Sequence, residues 1–230
     1  MSTACTPLDQ VGASERAEMQ ALLARHFSGV TPAEFATDLQ DKTHVVRLRD
    51  AAGALVGFST LAYLSDLAGD AVVVSGDTIV DPAGWAQARL APAWIRAVRA
   101  LHGDDPRTLW WLLICSGLRT YRFLPVFWQH FVPGPGQGDA TLLARRARLA
   151  SARYGAAFAP DTGVVRLRAP QRLRPHLAAA PAHLGADAPG AFFLAANPGH
   201  GDGDELACLC ALTADNLTSA GRRAWGGGWR

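Results

Sequence analysis

The sequence predicts a mixed α/β (α+β) fold: a mostly antiparallel central sheet flanked by helices, with a helical or irregular insertion before the last two strands. Three observations carry this. His44 to Arg49 and Leu55 to Leu61 are strand-like runs joined by the Gly-containing turn Asp50-Ala51-Ala52-Gly53, a hairpin pattern. Asp70 to Leu101 reads as an apolar strand, a sharp turn after Val80-Asp81-Pro82, and a helix through Trp94, Ile95, Val98 and Leu101. Leu109 to Ile114 is wholly apolar and of strand length, the pattern of a strand buried on both faces. Strands interleaved with helices in this way define the class.

The remaining elements follow from local chemistry. Ser14 is placed to cap a first helix whose Met19, Leu22, Leu23, His26 and Phe27 form one stripe, with His26 a core or boundary residue. Thr31-Pro32-Ala33-Glu34 combines a capping Thr, Pro at the first helical position and Glu in capping-box position, opening a short helix that ends near Asp41. Helical spacing resumes from Leu124, with Pro125 tolerable only at a helix start. After the breaker run Gly134 to Gly138, Asp139 caps a helix through Arg153 whose arginines form a solvated face. Ala191–Ala195 and Leu206–Leu212 read as the two closing strands. The connection between them, including His200, Asp202, Asp204 and Glu205, reads as solvated rather than metal-binding, because calcium loops need more oxygen ligands at set spacing. Residues 1–13 are expected to be a flexible N-terminus, 14–213 one domain including the insertion 134–188, and 214–230 a tail that is Gly-rich and disordered from Trp225.

Composition narrows the function classes. With 230 residues and 49% hydrophobic content, the chain can bury a core. A net charge of +2 gives no case for nucleic acid or a membrane surface, and no apolar stretch is long enough to span a bilayer. The four cysteines lack C-x-x-C spacing, so neither zinc nor redox chemistry is expected. The start has neither a basic segment nor an apolar one, so no leader is expected and a cytoplasmic location is the default.

The strand feeding a helix at Asp70–Leu101 is a natural anion site, since the first amides of a helix point outward unpaired. The order of elements around it, over roughly residues 14–132 and 190–213, resembles the GNAT acyltransferase superfamily. In that family a Val and Pro precede an Arg/Gln-x-x-Gly-x-Gly/Ala loop whose amides hold the pyrophosphate of coenzyme A. Here Val80-Asp81-Pro82 occupies the entry, but Trp85, Ala86, Ala88 and Leu90 stand at the Arg and Gly positions, and Arg89 is one residue out of register. The resemblance implies an acetyl- or other acyl-coenzyme A co-substrate held by Val80, Trp85, Ala86, Gln87, Ala88, Arg89 and Leu90, with no metal. It also implies acyl transfer to the amine of a small metabolite. The family's helix ending in Tyr-x-x-x-Gly-Phe is matched only by Phe131; His130 replaces the Gly and Val126 the Tyr, so the acid role passes to Tyr121 as the available tyrosine.

Acyl transfer to an amine needs a base or ammonium anchor, an acid for the leaving sulfur, and donors for the carbonyl oxygen. Asp77, interrupting a buried strand beside Ser75 and Gly76, is the candidate base; alternation puts it on one face with Ser75 and Ile79. Pairing with Arg119 or Arg122 is its structural alternative. Cys115 and Ser116 end the central strand, where α/β sites open, making Ser116 a second candidate acid. Trp85 and Trp128 suit either a pocket or a homodimer surface. The missing loop glycines also fit a non-catalytic binding module, or an enzyme using a different donor or reaction on the same fold.

Overall fold

The computed structural model describes residues 2–81, 89–136, 138–174 and 185–226. Its strands are β1 (Ser2–Pro7), β2 (Phe27–Ser28), β3 (His44–Arg49), β4 (Leu55–Leu67), β5 (Asp70–Val80), β6 (Leu109–Cys115), β7 (Phe158–Ala159), β8 (Val164–Val165), β9 (Arg172–Leu173) and β10 (Glu205–Ala211). Its helices are α1 (Ala13–His26), α2 (Pro32–Asp38), α3 (Leu90–His102), α4 (Leu118–Tyr121), α5 (Phe123–Phe127), α6 (Ala140–Tyr154), α7 (Ala188–Ala196) and α8 (Ser219–Gly226).

Eight strands form one sheet in the order β1-β3-β4-β5-β6-β10-β8-β7, and β2 pairs separately with β9. All neighbours in the large sheet are antiparallel except β5 and β6. This is the mixed, mostly antiparallel sheet that the sequence pattern predicts. Helices α3 and α8 cover one face, where Val73, Trp94, Trp111, Leu113, Tyr121 and Trp128 share a core. The opposite face carries α1 and α2 over Val45, Phe58 and Ile79, and α6 over Val72, Val74, Leu112 and Leu209. The capping box at Thr31 and Glu34 forms, and Asp139 accepts from the amides of Thr141 and Leu142 to start α6.

Several expectations change. Residues 2–7, expected to be flexible, form the edge strand β1 against β3; the chain after them is anchored by buried Leu8 and Val11, and Arg47 donates to the Thr6 hydroxyl at 2.6 Å. Helix α1 starts one residue before Ser14, with Gly12 as its N-cap. Ala191–Ala195 lies in a helix, not a strand: Asp187 accepts from the Gly190 amide and Pro189 sits in the first turn, so strong start signals decide an ambiguous apolar run. The closing pair therefore reduces to β10, whose outer neighbour β8 comes from inside the 134–188 segment. Residues 219–226 form α8, which packs on α3 and α5, with Trp225 under the Arg99 guanidinium at 5.2 Å.

Candidate functional site

The parallel ladder between β5 and β6 pairs Ala71–Val74 with Leu109–Leu112 and then stops, although β5 continues to Val80 and β6 to Cys115. Past Val74 the two strands are prongs of a fork in the middle of the sheet. At the root of the fork the Trp111 indole donates to the Ser75 hydroxyl at 3.1 Å.

Beside the fork β5 is irregular. Ser59 pairs with Thr78 and Leu61 with Ser75, so Gly76 and Asp77 together face the single residue Thr60: a β-bulge. Glycine is needed there, because a Cβ at Gly76 would collide with the Thr60 hydroxyl and the Lys42 side chain. The bulge corrects the expected alternation. Ser75 and Thr78 share the α3 face, Thr78 exchanging a 2.7 Å hydrogen bond with Ser59, whereas Ile79 packs on the α1–α2 side. Asp77 faces that second side, among Asp38, Asp41, Lys42 and Gln171, and not beside Ser75; its neighbours do not include Arg119 or Arg122.

The α3 face of the fork holds an apolar cleft. Ser75, Thr78, Leu90, Trp94, Trp111, Phe127 and Trp128 contribute to its walls. The three indoles pack in one row at tilted angles, with ring centroids 4.5 Å apart for Trp94–Trp111 and 4.9 Å for Trp111–Trp128. The N–H groups of Trp94 and Trp128, two residues of its wall, are sealed from solvent and have no hydrogen-bond partner among the described residues. Val80 ends β5 opposite Gly57, Arg89 is the N-cap of α3, and Leu90 opens that helix and lines the cleft. Trp85, Ala86, Gln87 and Ala88 lie outside the described residues.

The opposite face is acidic. The Asp77 residue keeps a partly exposed edge, but its Oδ2 is sealed from solvent and has no partner among the described residues. Burial pushes its carboxyl up to about 6; the charges of Asp38 and Asp41 act the same way, against Lys42 and a hydrogen bond from Gln171. Glu205, at the start of β10, reaches about 8, through burial first and then repulsion from Asp77 and Asp38. Burial also raises Asp38, against the pull of Lys42 and Gln171, whose amide donates to it at 2.9 Å. The Tyr154 hydroxyl at the end of α6 is held protonated by burial and by Glu205. Each carboxyl is penalised because charge is disfavoured away from water and beside like charge.

Of the predicted acids, Ser116 follows the last residue of β6, one position beyond the Leu206–Cys115 pair that ends its ladder with β10, and Tyr121 is not among the groups acting on these carboxyls. Tyr121 is fully buried on the other face, donates its hydroxyl to the Pro133 carbonyl at 3.0 Å, and packs against Phe131 and Phe193. Asp38 and Tyr154 escaped the sequence reading, and Glu205, expected in a solvated connection, is instead the first residue of β10 with a carboxyl raised by burial. The alternation Glu205-Leu206-Ala207-Cys208-Leu209 was the available signal, since it sets Glu205 on the face of Ala207 and Leu209. Among the described residues no group of His, Cys, Asp and Glu side chains is placed to hold a metal ion, and no helix is long and apolar enough to cross a membrane.

No protein-family model and no curated protein matches the sequence. Solved structures align with about half of it. A GNAT family N-acetyltransferase from Escherichia coli in complex with CoA is 17% identical over 53% of this chain and 67% of its own, with a TM-score of 0.40. An acyl-CoA N-acyltransferase from Pseudomonas aeruginosa is 18% identical over 56% and 89%, with a TM-score of 0.42. The ribosomal-protein-S18-alanine N-acetyltransferase from Escherichia coli is 13% identical over 56% and 81%, with a TM-score of 0.40.

Proposed function

We propose that this chain is an acyltransferase that moves an acyl group from coenzyme A to the amine of a small molecule, with donor and acceptor meeting through the fork between β5 and β6. The observation that carries the reading is the fork itself, with an apolar cleft on one face and a carboxyl cluster on the other. An acyl-pantetheine arm is a narrow chain punctuated by carbonyls. Apolar walls would take the chain, and the unpartnered Trp94 and Trp128 N–H groups, sealed from solvent in this structure, would meet its amide or thioester oxygens only on turning toward the cleft. Arg89 and the first turn of α3 stand at the end of the cleft marked by Leu90, on the side where phosphates would lie.

In this scheme Asp77 receives the amine. With its carboxyl near 6 it is ionised at neutral pH, yet basic enough to hold an ammonium and accept its proton. The freed nitrogen forms the C–N bond and the C–S bond breaks; the proton the nitrogen then sheds passes to the leaving thiolate through a hydroxyl at the β6 prong, a relay role we assign to Ser116, and Asp77 returns the ammonium proton to solvent. Tyr121 is left out, because its hydroxyl proton is engaged with Pro133.

The test is thermal unfolding with coenzyme A and acetyl-coenzyme A. A ligand at 100 times its Kd adds about 2.7 kcal/mol, or roughly 5–10 °C in Tm for a chain of this size. No shift at millimolar ligand sinks the donor assignment. A binding module that has lost the chemistry is the rival suggested by the glycine-free loop positions. Binding without turnover would select that rival. With turnover, Asp77→Asn lowers kcat at least tenfold while leaving the coenzyme A shift in place.

A further inference from the structure

The acidic face holds more carboxyl groups than one ammonium requires. Asp38, Asp41, Asp77 and Glu205 converge there from α2, the turn after it, β5 and β10. The cations facing them are Lys42 and Arg153, and both contact Asp41. Among the described residues no ion pair reaches Asp38, Asp77 or Glu205, although Lys42 lies close enough to pull on the first two. Tyr154 and Cys115, the other titratable groups nearby, are neutral.

An uncharged group makes the same point independently. The Thr60 hydroxyl, on β4 beside Gly76, is wholly buried and has no hydrogen-bond partner among the described residues, like Oδ2 of Asp77. Ionised, Oδ2 of Asp77 can only accept, and the Thr60 hydroxyl accepts as well as donates, so both leave acceptor capacity open that Arg153, held by Asp41 with its own Nε unpartnered among the described residues, does not fill. An ammonium supplies three N–H donors and no acceptor, so it meets both the charge and the hydrogen-bond deficit. The carboxylates also lie on both sides of the fork, Asp77 on its β5 prong and Glu205 on β10 beyond β6, and so offer two separate positions for positive charge.

We propose that the acceptor carries two cationic groups, as in an α,ω-diamine or a short oligoamine, one ammonium held at Asp77 for acylation and the other anchored by Glu205. This rests on the acyl-transfer reading for which amine reacts, but the recognition itself does not need coenzyme A.

The probes are 1,4-diaminobutane and 1-aminobutane, which match in chain length and differ in one ammonium. Their affinities are measured by isothermal titration calorimetry on the full chain at pH 7.5 and low salt, without coenzyme A. The diamine is expected to bind at least tenfold more tightly, and Glu205→Gln to bring that ratio below threefold. Asp38→Asn serves as the second variant should Glu205→Gln not fold, and is expected to reduce the ratio as well. Equal affinities in the wild type, or a ratio untouched by either folded variant, overturn the proposal. A coenzyme A shift together with equal amine affinities would leave acyl transfer standing and remove the dication; a diamine preference without that shift would do the reverse.

Discussion

A buried carboxylate kept for chemistry should tax the fold above its own pKa, and Asp77 provides the measurement. Its ordinary value is 3.8 and its folded value about 6. Below 3.8 the group is protonated in both states. Between the two values the folded chain holds a proton that the unfolded chain has lost, so stability falls as pH rises, and above 6 the penalty is complete. The values lie about 2 pH units apart; at roughly 1.4 kcal/mol per unit the loss is about 3 kcal/mol. Asp77→Asn removes this term. Whatever the amide costs by its own unsatisfied polar atoms is independent of pH, so the informative quantity is the difference in unfolding free energy between variant and wild type, followed with pH. Urea denaturation from pH 4 to pH 8 should show that difference moving by about 3 kcal/mol in favour of the variant. Glu205, relieved of the Asp77 charge, adds to the gain in the same direction. A difference that stays flat within about 0.5 kcal/mol, the scatter expected of a neutral surface change, would refute the buried-carboxylate argument.

Tyr121→Phe separates two roles. Loss of the hydrogen bond to the buried side of Pro133 predicts destabilisation of about 1–2 kcal/mol in the same denaturation assay; a large fall in kcat at unchanged stability would instead restore the acid role expected from sequence. Gly76→Ala forces a methyl against Thr60 and Lys42 and should cost about 1–3 kcal/mol, with weaker diamine binding in calorimetry; a neutral result would mean that the bulge is not closely packed.

The sequence was most legible where one local signal dominates. The hairpin, the central apolar strand, the Thr31 capping box and the Asp139 cap all form as local chemistry dictates. It misled where two signals compete, as at Ala191–Ala195, where a short apolar run suits strand or buried helix and the Asp187–Pro189 start decided the outcome. The position of Asp77 in the strand was readable, but its facing was not. Alternation holds only in a regular ladder, and the two-to-one pairing of Gly76 and Asp77 against Thr60 is a property of strand partners that a single strand does not reveal. Glu205 was hidden for a related reason: beside the polar run Gly201-Asp202-Gly203-Asp204 it resembles a loop residue until β10 pairs with β6 and brings it to the fork.

The bulge and the fork are two consequences of one arrangement. A parallel pair that stays zipped would leave no passage through the sheet, and a regular β5 would send Ser75 and Asp77 to the same face. Because the ladder ends at Val74 and the bulge follows within three residues, Ser75 stays with the indoles while Asp77 turns to the acids. The sheet thus divides two incompatible environments by a single strand, an apolar one and an anionic one. A thioester and an ammonium require opposite surroundings, and they need to meet only where the partition is open. The same division makes Asp77 expensive to bury, so the penalty that the pH titration measures and the basicity that the proposed amine transfer would use are one quantity seen from the fold and from the reaction.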